Sequence, residues 1–548
     1  MICREYEVAA SSTARRPRAL ALVFALLLGA ATPVFAYDPT EKSIATLEAD
    51  LAAGRTTSVA LVKAYLGRID ALNPKLHAVI MINPDALDAA RAADAARAAG
   101  KPLGPLAGLP ILIKDNIETA DPMPTTAGSL ALKDNLTGRD APVVARLRAA
   151  GAIILGKTNL SEWANIRSTR SISGWSGVGG QTRNPYALDR SPCGSSSGSG
   201  AAAAASLAAA AVGTETDGSV TCPAAIAGLV GLKPTVGLVS RTHIVPISHT
   251  QDTAGPMTRT VADAAAMLNA MAGADPADPA TAEADARKSD YLAALAPDAL
   301  KGARIGVLRF AAGFNPETEA VFNRALESLK AAGAVLVEVP EPVGIKGVGK
   351  LEHLVLMTEL KADLNAYLAT TAPGRVPSRT LADLIAFNRA HADVEMPVFG
   401  QESFEAAEAT QGLDDPVYLK AKADAHRLAG PEGIDAMLAA NQVIALVAPT
   451  TGPSWLIDPV WRDRGGGGGA GYLAAIAGYP HLTVPMGQVD GLPVGLSFIG
   501  PAWSEARLLR LGSAFEQQAR ARKPPLYRAS AQPDDPAAWI ASGLLPTP

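Results

Sequence analysis

Residues Ser191–Ala205 read SPCGSSSGSGAAAAA, and the run holds no side chain larger than proline or cysteine. A flexible linker would account for the serines and glycines. The residues that follow, 201–212, are mostly alanine and have good helix propensity, which a linker does not need. A helix of such small side chains can lie very close to a sheet, its N-terminal amides directed at the serine-rich loop. The stretch therefore asks for a layered fold with a sheet for that helix to rest on.

Strand and helix patterns agree with this. In GPLAGLPILIKDN (104–116) a short apolar strand ends at Lys114. APVVARLRAA (141–150) predicts a helix and AIIL a strand after it. RIGVL and AVLVEV flank a helix over 316–332, with Asn315 as N-cap, Pro316 at the first helical position, and Val321, Phe322, Leu326 and Leu329 at helical spacing. This strand–helix–strand order predicts an α/β sheet covered by helices. Residues 41–70 read as an amphipathic helical region and 272–300 as a surface excursion. The glycine tract RGGGGGAG (464–471) reads as a loop near a cleft or on the surface.

With 548 residues, 48% of them hydrophobic, the chain can bury a large core. Its net charge of -4 favours neither nucleic acid nor an anionic membrane surface. Arg15, Arg16 and Arg18 precede the apolar run ALALVFALLLGAATPVFA, the pattern of an export signal (1–36) cleaved after Ala36. The mature chain, 37–548, is then expected outside the cytoplasm, in the periplasm or secreted, and without a membrane span. Cys3 leaves with the signal, so Cys193 and Cys222 remain.

GAIILGKT (151–158) has the spacing of a phosphate loop. A helix precedes Gly151, however, and the four residues between the glycines are an apolar strand, so no amide cradle is expected. Lys157 is expected as a strand-end residue at the sheet rim.

GTETDGS (213–219) is an acidic turn bounded by Gly213 and Gly218 and ending in Ser219. It can present successive backbone N–H groups, as an oxyanion hole requires. A serine nucleophile needs a base. None of the seven histidines stands in a motif with a serine, and His243 and His249 have no third ligand at metal spacing. Lys114 is the alternative base, since a strand end is where side chains emerge into an α/β cleft.

These pieces, together with GAIILGKTNLSEWA, GTETDGSVTCPAAIAGLVGLKPTVGLVSR, DTAGPMTRTVADAA and AGYPHLTVPMG, resemble the amidase signature family over roughly residues 41–520. The bacterial peptide amidases are the nearest likeness. The resemblance implies a central mixed β-sheet with α-helices on both faces, a signature core at about 104–265, and a variable substrate-binding region at about 340–460 that includes a helix in EHLVLMTELKADLNAYLA. It implies a Ser–cisSer–Lys triad: Ser219 as nucleophile, Ser195 as the bridging cis-serine and Lys114 as base. The backbone amides of Thr216, Asp217, Gly218 and Ser219 form the oxyanion hole. The family often has glycine where this chain has Asp217. Asp115 is a candidate support for the lysine loop or a cap of the following turn. No cofactor and no metal are required.

The expected activity is hydrolysis of carboxamides, with the C-terminal amide of a peptide as substrate and the free acid and ammonia as products, by a monomer or homodimer. Alternatives are an amidase for short-chain or aryl amides and a protein that binds amidated peptides without cutting them. The export signal argues against a glutamine-dependent amidotransferase subunit. Cys193 and Cys222 flank the two serines and are expected as free thiols packing the site floor, although export would permit a disulfide.

Overall fold

The computed structural model describes residues 37–465 and 467–531, so the expected signal segment lies outside the described residues. In chain order the strands are β1 Val79–Ile82, β2 Pro110–Lys114, β3 Ile153–Thr158, β4 Trp175–Ser176, β5 Gly180–Gln181, β6 Ala210–Glu215, β7 Val230–Lys233, β8 Thr253–Thr258, β9 Arg304–Val307, β10 Val335–Glu338, β11 Ala445–Pro449, β12 His481–Val489 and β13 Leu492–Ile499. Apart from the small β4–β5 ribbon they form an 11-stranded sheet in the order β1-β3-β2-β6-β8-β7-β12-β13-β11-β9-β10. The sheet is mixed: β2 runs parallel to β3 and β6, whereas β8 is antiparallel to β6 and β7. Helices flank it, and the expected α/β architecture is the one observed.

Several local readings hold. The helix Pro316–Ala331 starts at an Asn315 cap whose side chain accepts from the Thr318 amide at 2.6 Å, and Val321, Phe322, Leu326 and Leu329 are buried. The expected helix at 141–150 is Pro142–Ala149. Within GAIILGKT, Ile153–Thr158 are strand β3, every residue buried, and the segment makes no phosphate loop.

The region 41–70 is helical as expected, in two helices, Ile44–Ala52 and Ser58–Leu76, separated by a turn at Gly54 with φ 68°. Two readings are corrected. Lys157 is not on the rim: it is wholly buried, its Nζ donating to the Ile117 carbonyl at 2.5 Å and to Thr125 Oγ1 at 3.0 Å, and lying 3.6 Å from Asp115. The alanine run is not one helix over 201–212. The helix is Ser197–Ala204, and Ala210–Val212 open strand β6. Alanine's helix preference amounts to tenths of a kcal/mol per residue and yields to the ladders that β6 makes with β2 and β8.

The helix Ser197–Ala204 is buried at every residue and rests on β2, β6 and β8. A Cβ on Gly198 would stand 2.3 Å from the Ala78 carbonyl oxygen, so only glycine permits that approach.

The helices Val348–Thr370, Leu381–Ala390 and Glu402–Glu408 form a separate apolar cluster. Met357, Leu360, Leu364, Leu384 and Phe404 pack there against Trp163 and Val245 of the sheet-side loops. Among the described residues no helix is long and apolar enough to cross a membrane.

Candidate active site

Parallel pairing of β2 with β6 matches Ile113 to Val212, which brings Lys114 to the level of the chain entering GTETDGS. Lys114 is fully buried. Its Nζ lies 2.7 Å from Ser195 Oγ, 2.8 Å from Thr214 Oγ1 and 3.2 Å from the Thr214 carbonyl oxygen. Asn116 Nδ2 also donates to Thr214 Oγ1, at 2.9 Å. Burial lowers the lysine pKa to about 7 against the pull of Asp252 and Glu215. A neutral amine has two N–H donors and one lone pair. The two oxygens of Thr214 accept those two N–H groups, and the lone pair is left for the hydroxyl of Ser195.

The serine loop is organised residue by residue. The Gly194–Ser195 peptide bond is cis. Ser196 Oγ donates to the Thr214 carbonyl at 3.0 Å, Ser197 Oγ to the Cys193 carbonyl at 2.6 Å and Ser199 Oγ to the Val212 carbonyl at 3.0 Å. Ser195 alone of the four turns its hydroxyl to the lysine. The Ser196 amide donates to the Ser219 carbonyl at 3.1 Å, which joins the serine loop to the acidic turn.

In that turn Ser219 is 8% exposed, the Thr216 residue likewise 8%, and Gly218 has φ 78°, a conformation open to glycine at little cost. Glu215 accepts the amides of Val220 at 2.8 Å and Thr221 at 2.9 Å, capping the short helix Thr221–Ile226. Asp217 is an exposed residue whose carboxyl is raised above the usual range by desolvation from the protein around it and by the negative charges of Glu352 and Glu215. Asp115 accepts the Thr126 amide at 3.2 Å and pairs with Lys157, which makes it a brace of the loop after β2.

Cys193 and Cys222 form a disulfide with Cα atoms 6.1 Å apart, which overturns the expectation of free thiols. The Ser196–Ser219 bond closes the intervening chain and carries the two cysteines within bonding reach. The intact protein is expected to gain the mass of a pair of hydrogens on reduction under denaturing conditions. An unchanged mass would show two free thiols.

A cavity of about 410 Å³ adjoins this site; its lining reaches Asn116, Thr214 and Thr216 but not Ser219. His249 lies on its wall beside Asp363, with Glu359 completing a His–Glu–Asp group whose ligand atoms lie within 4.8 Å of one another. Neither partner was visible from histidine spacing. The group is already satisfied internally: His249 Nδ1 meets Asp363 at 2.9 Å, Glu359 accepts Thr250 Oγ1 at 2.8 Å and the Tyr418 hydroxyl at 2.7 Å, and Lys422 stands 3.7 Å from Glu359. The glycine tract is anchored, with Gly469 donating to the Ala311 carbonyl at 2.8 Å. Thr214, the partner that fixes Lys114, was not singled out in the sequence although it stands within GTETDGS.

The amidase family model matches residues 60–509 of the chain. The solved native peptide amidase of Stenotrophomonas maltophilia is 55% identical, with a TM-score of 0.85, over 89% of this chain and 99% of its own. A peptide amidase solved with the competitive inhibitor chymostatin is 56% identical, with a TM-score of 0.86 and the same coverage of 89% and 99%. The Arabidopsis thaliana protein named "Probable amidase At4g34880" is 40% identical over 485 residues, 87% of this chain and 89% of that one. By the family match and these likenesses the chain belongs to the amidase family and is a hydrolase of amide C–N bonds.

Proposed function

We propose that this protein is an exported serine amidohydrolase that converts the C-terminal carboxamide of a peptide to the free acid and ammonia. The observation that carries the mechanism is the buried 2.7 Å approach of Lys114 Nζ to Ser195 Oγ. Neutral Lys114 takes the proton of Ser195 while Ser195 takes that of Ser219. The Ser219 oxygen attacks the amide carbon, and the tetrahedral oxyanion is received by the amides of Thr216, Asp217, Gly218 and Ser219. The proton returns through Ser195 to the leaving nitrogen, ammonia departs, and water hydrolyses the acyl-enzyme by the same path in reverse. Each proton transfer in this cycle runs through Ser195 and Lys114, with water supplying the proton that restores Ser219.

The likeness to two solved peptide amidases supports the peptide substrate. Sparing of internal peptide bonds requires a pocket that closes behind the leaving nitrogen, since both bonds offer the same carbonyl. The basic-then-apolar N-terminus supports export, and the disulfide fits an oxidising compartment.

Mass spectrometry of paired peptides tests the reading. The amidated member is expected to lose NH2 for OH with no fragments, and its free-acid twin to stay unchanged. Internal fragments from both, or turnover confined to aryl or aliphatic amides, would overturn the substrate class. The intact mass of the mature protein is expected to begin at Tyr37.

A further inference from the structure

The peptide unit that links Thr216 to Asp217 holds its carbonyl and its N–H in one plane, pointing in opposite directions. Whatever fixes the Thr216 carbonyl therefore aims the Asp217 amide. That carbonyl accepts Gln251 Nε2 at 3.3 Å, and the same nitrogen donates to Glu352 Oε1 at 2.9 Å. The Thr216 carbonyl has no proton to give, so only the NH2 end of the Gln251 amide can satisfy it. Gln251 is buried at 2% exposure. Its neighbour Asp252 grips the same residue from the other side, accepting Thr216 Oγ1 at 2.6 Å.

The Ser219 amide is aimed in the same manner. Its peptide unit has the Gly218 carbonyl at the other end, and this accepts the Cys222 amide at 2.8 Å. The helix after the turn thus orients one amide, and a side chain from a distant loop orients the other.

That loop is itself held by one helix. Glu352, Glu359 and Asp363 fall on one face of Val348–Thr370 and bind Gln251, Thr250 and His249 respectively.

We infer that Gln251 is a positioning residue for amide hydrolysis: by pinning the Thr216 carbonyl it aims the Asp217 N–H at the oxyanion. The inference rests on the oxyanion hole proposed above and assigns one of its donors a support. Its effect belongs to the transition state, because the oxyanion exists only there.

The test uses the full-length mature enzyme and Gln251→Met, which keeps the side-chain length and removes the donor. kcat is expected to fall about tenfold to a hundredfold, less than the loss of a whole oxyanion donor, with KM changed less than about twofold. A peptide aldehyde, whose adduct with Ser219 places an oxygen in the hole, is expected to bind more weakly by the same factor as kcat/KM. The product acid is expected to bind as before. A merely structural role would not move the aldehyde and the acid apart. Wild-type kcat, a rise in KM alone, or unchanged aldehyde affinity would each overturn the inference.

If the Met variant fails to fold, Glu352→Gln serves instead. It weakens the acceptor that holds Gln251, and kcat and aldehyde affinity are expected to fall together. Wild-type values for both would overturn the inference. Ser219→Ala separates the two levels of argument: if it is inert while Gln251→Met is wild-type, the positioning role fails and the triad stands.

Discussion

Ser219→Ala is expected to lower turnover of an amidated peptide by at least about 10⁴-fold while the protein remains folded. Ser219 sits where the acidic turn meets the helix Thr221–Ile226, with its backbone tied to Ser196 and its amide plane tied to Cys222. None of these bonds uses its hydroxyl, so alanine removes the proposed attacking oxygen and leaves the turn in place. Steady-state ammonia release, with circular dichroism as the check on folding, measures the effect. Activity within tenfold of wild type in a folded variant would place the nucleophile elsewhere.

Lys114→Met is expected to cost about 10²–10⁴-fold, the range of a positioned general base, and to change the pH dependence. An ordinary lysine, with a pKa near 10.4, is neutral in only about one molecule in 2500 at pH 7. Burial brings the Lys114 pKa to about 7, so half the molecules hold the neutral amine there. In the proposed mechanism the neutral form is the base, and its fraction rises with pH. kcat/KM of the wild-type enzyme should therefore climb through about pH 7 and level off above it. In Lys114→Met that rise should be gone. A variant with residual activity and an unaltered rise would assign the titration to another group.

How much of this was legible in the sequence depends on the distance over which each signal acts. The strand ending at Lys114 and the Asn315-capped helix rest on contiguous residues, and both were readable. The motif order also indicated the family, which the family match shows, and the proposed site residues rest on the same resemblance. Thr214 was missed because its role comes from the parallel register of β2 with β6, strands separated by about a hundred residues in sequence, and no local periodicity records a register. Gln251 was missed for the same reason, since its acceptors belong to the acidic turn and to a helix a hundred residues further on. The alanine run misled because propensity is a weak preference that strand pairing overrides. Lys157 misled because a lysine near a strand end ordinarily reaches the sheet rim, whereas Asp115 and the Ile117 carbonyl receive it inside. The disulfide was misjudged because the cysteines are 29 residues apart and become neighbours only when Ser196 meets Ser219.

The helix Ser197–Ala204 bears on how such an enzyme can diversify. All eight of its residues are buried, and none is bulkier than serine. Enlarging any of them presses on backbone or on the sheet, and overpacking of a tight core costs about 1–3 kcal/mol, a large share of a typical stability of about 5–15 kcal/mol. Heritable change is therefore nearly closed to the wall that carries the serines. The helices Val348–Thr370, Leu381–Ala390 and Glu402–Glu408 stand on the opposite footing: they mix buried and exposed positions and pack around a separate apolar cluster shared with the sheet-side loops. Variation that accumulates there, away from the Glu352, Glu359 and Asp363 face that holds the Gln251 loop, can reshape what the cleft accepts while the bond-breaking machinery is inherited unchanged, so divergence within this lineage should run through substrate choice and leave the reaction itself fixed.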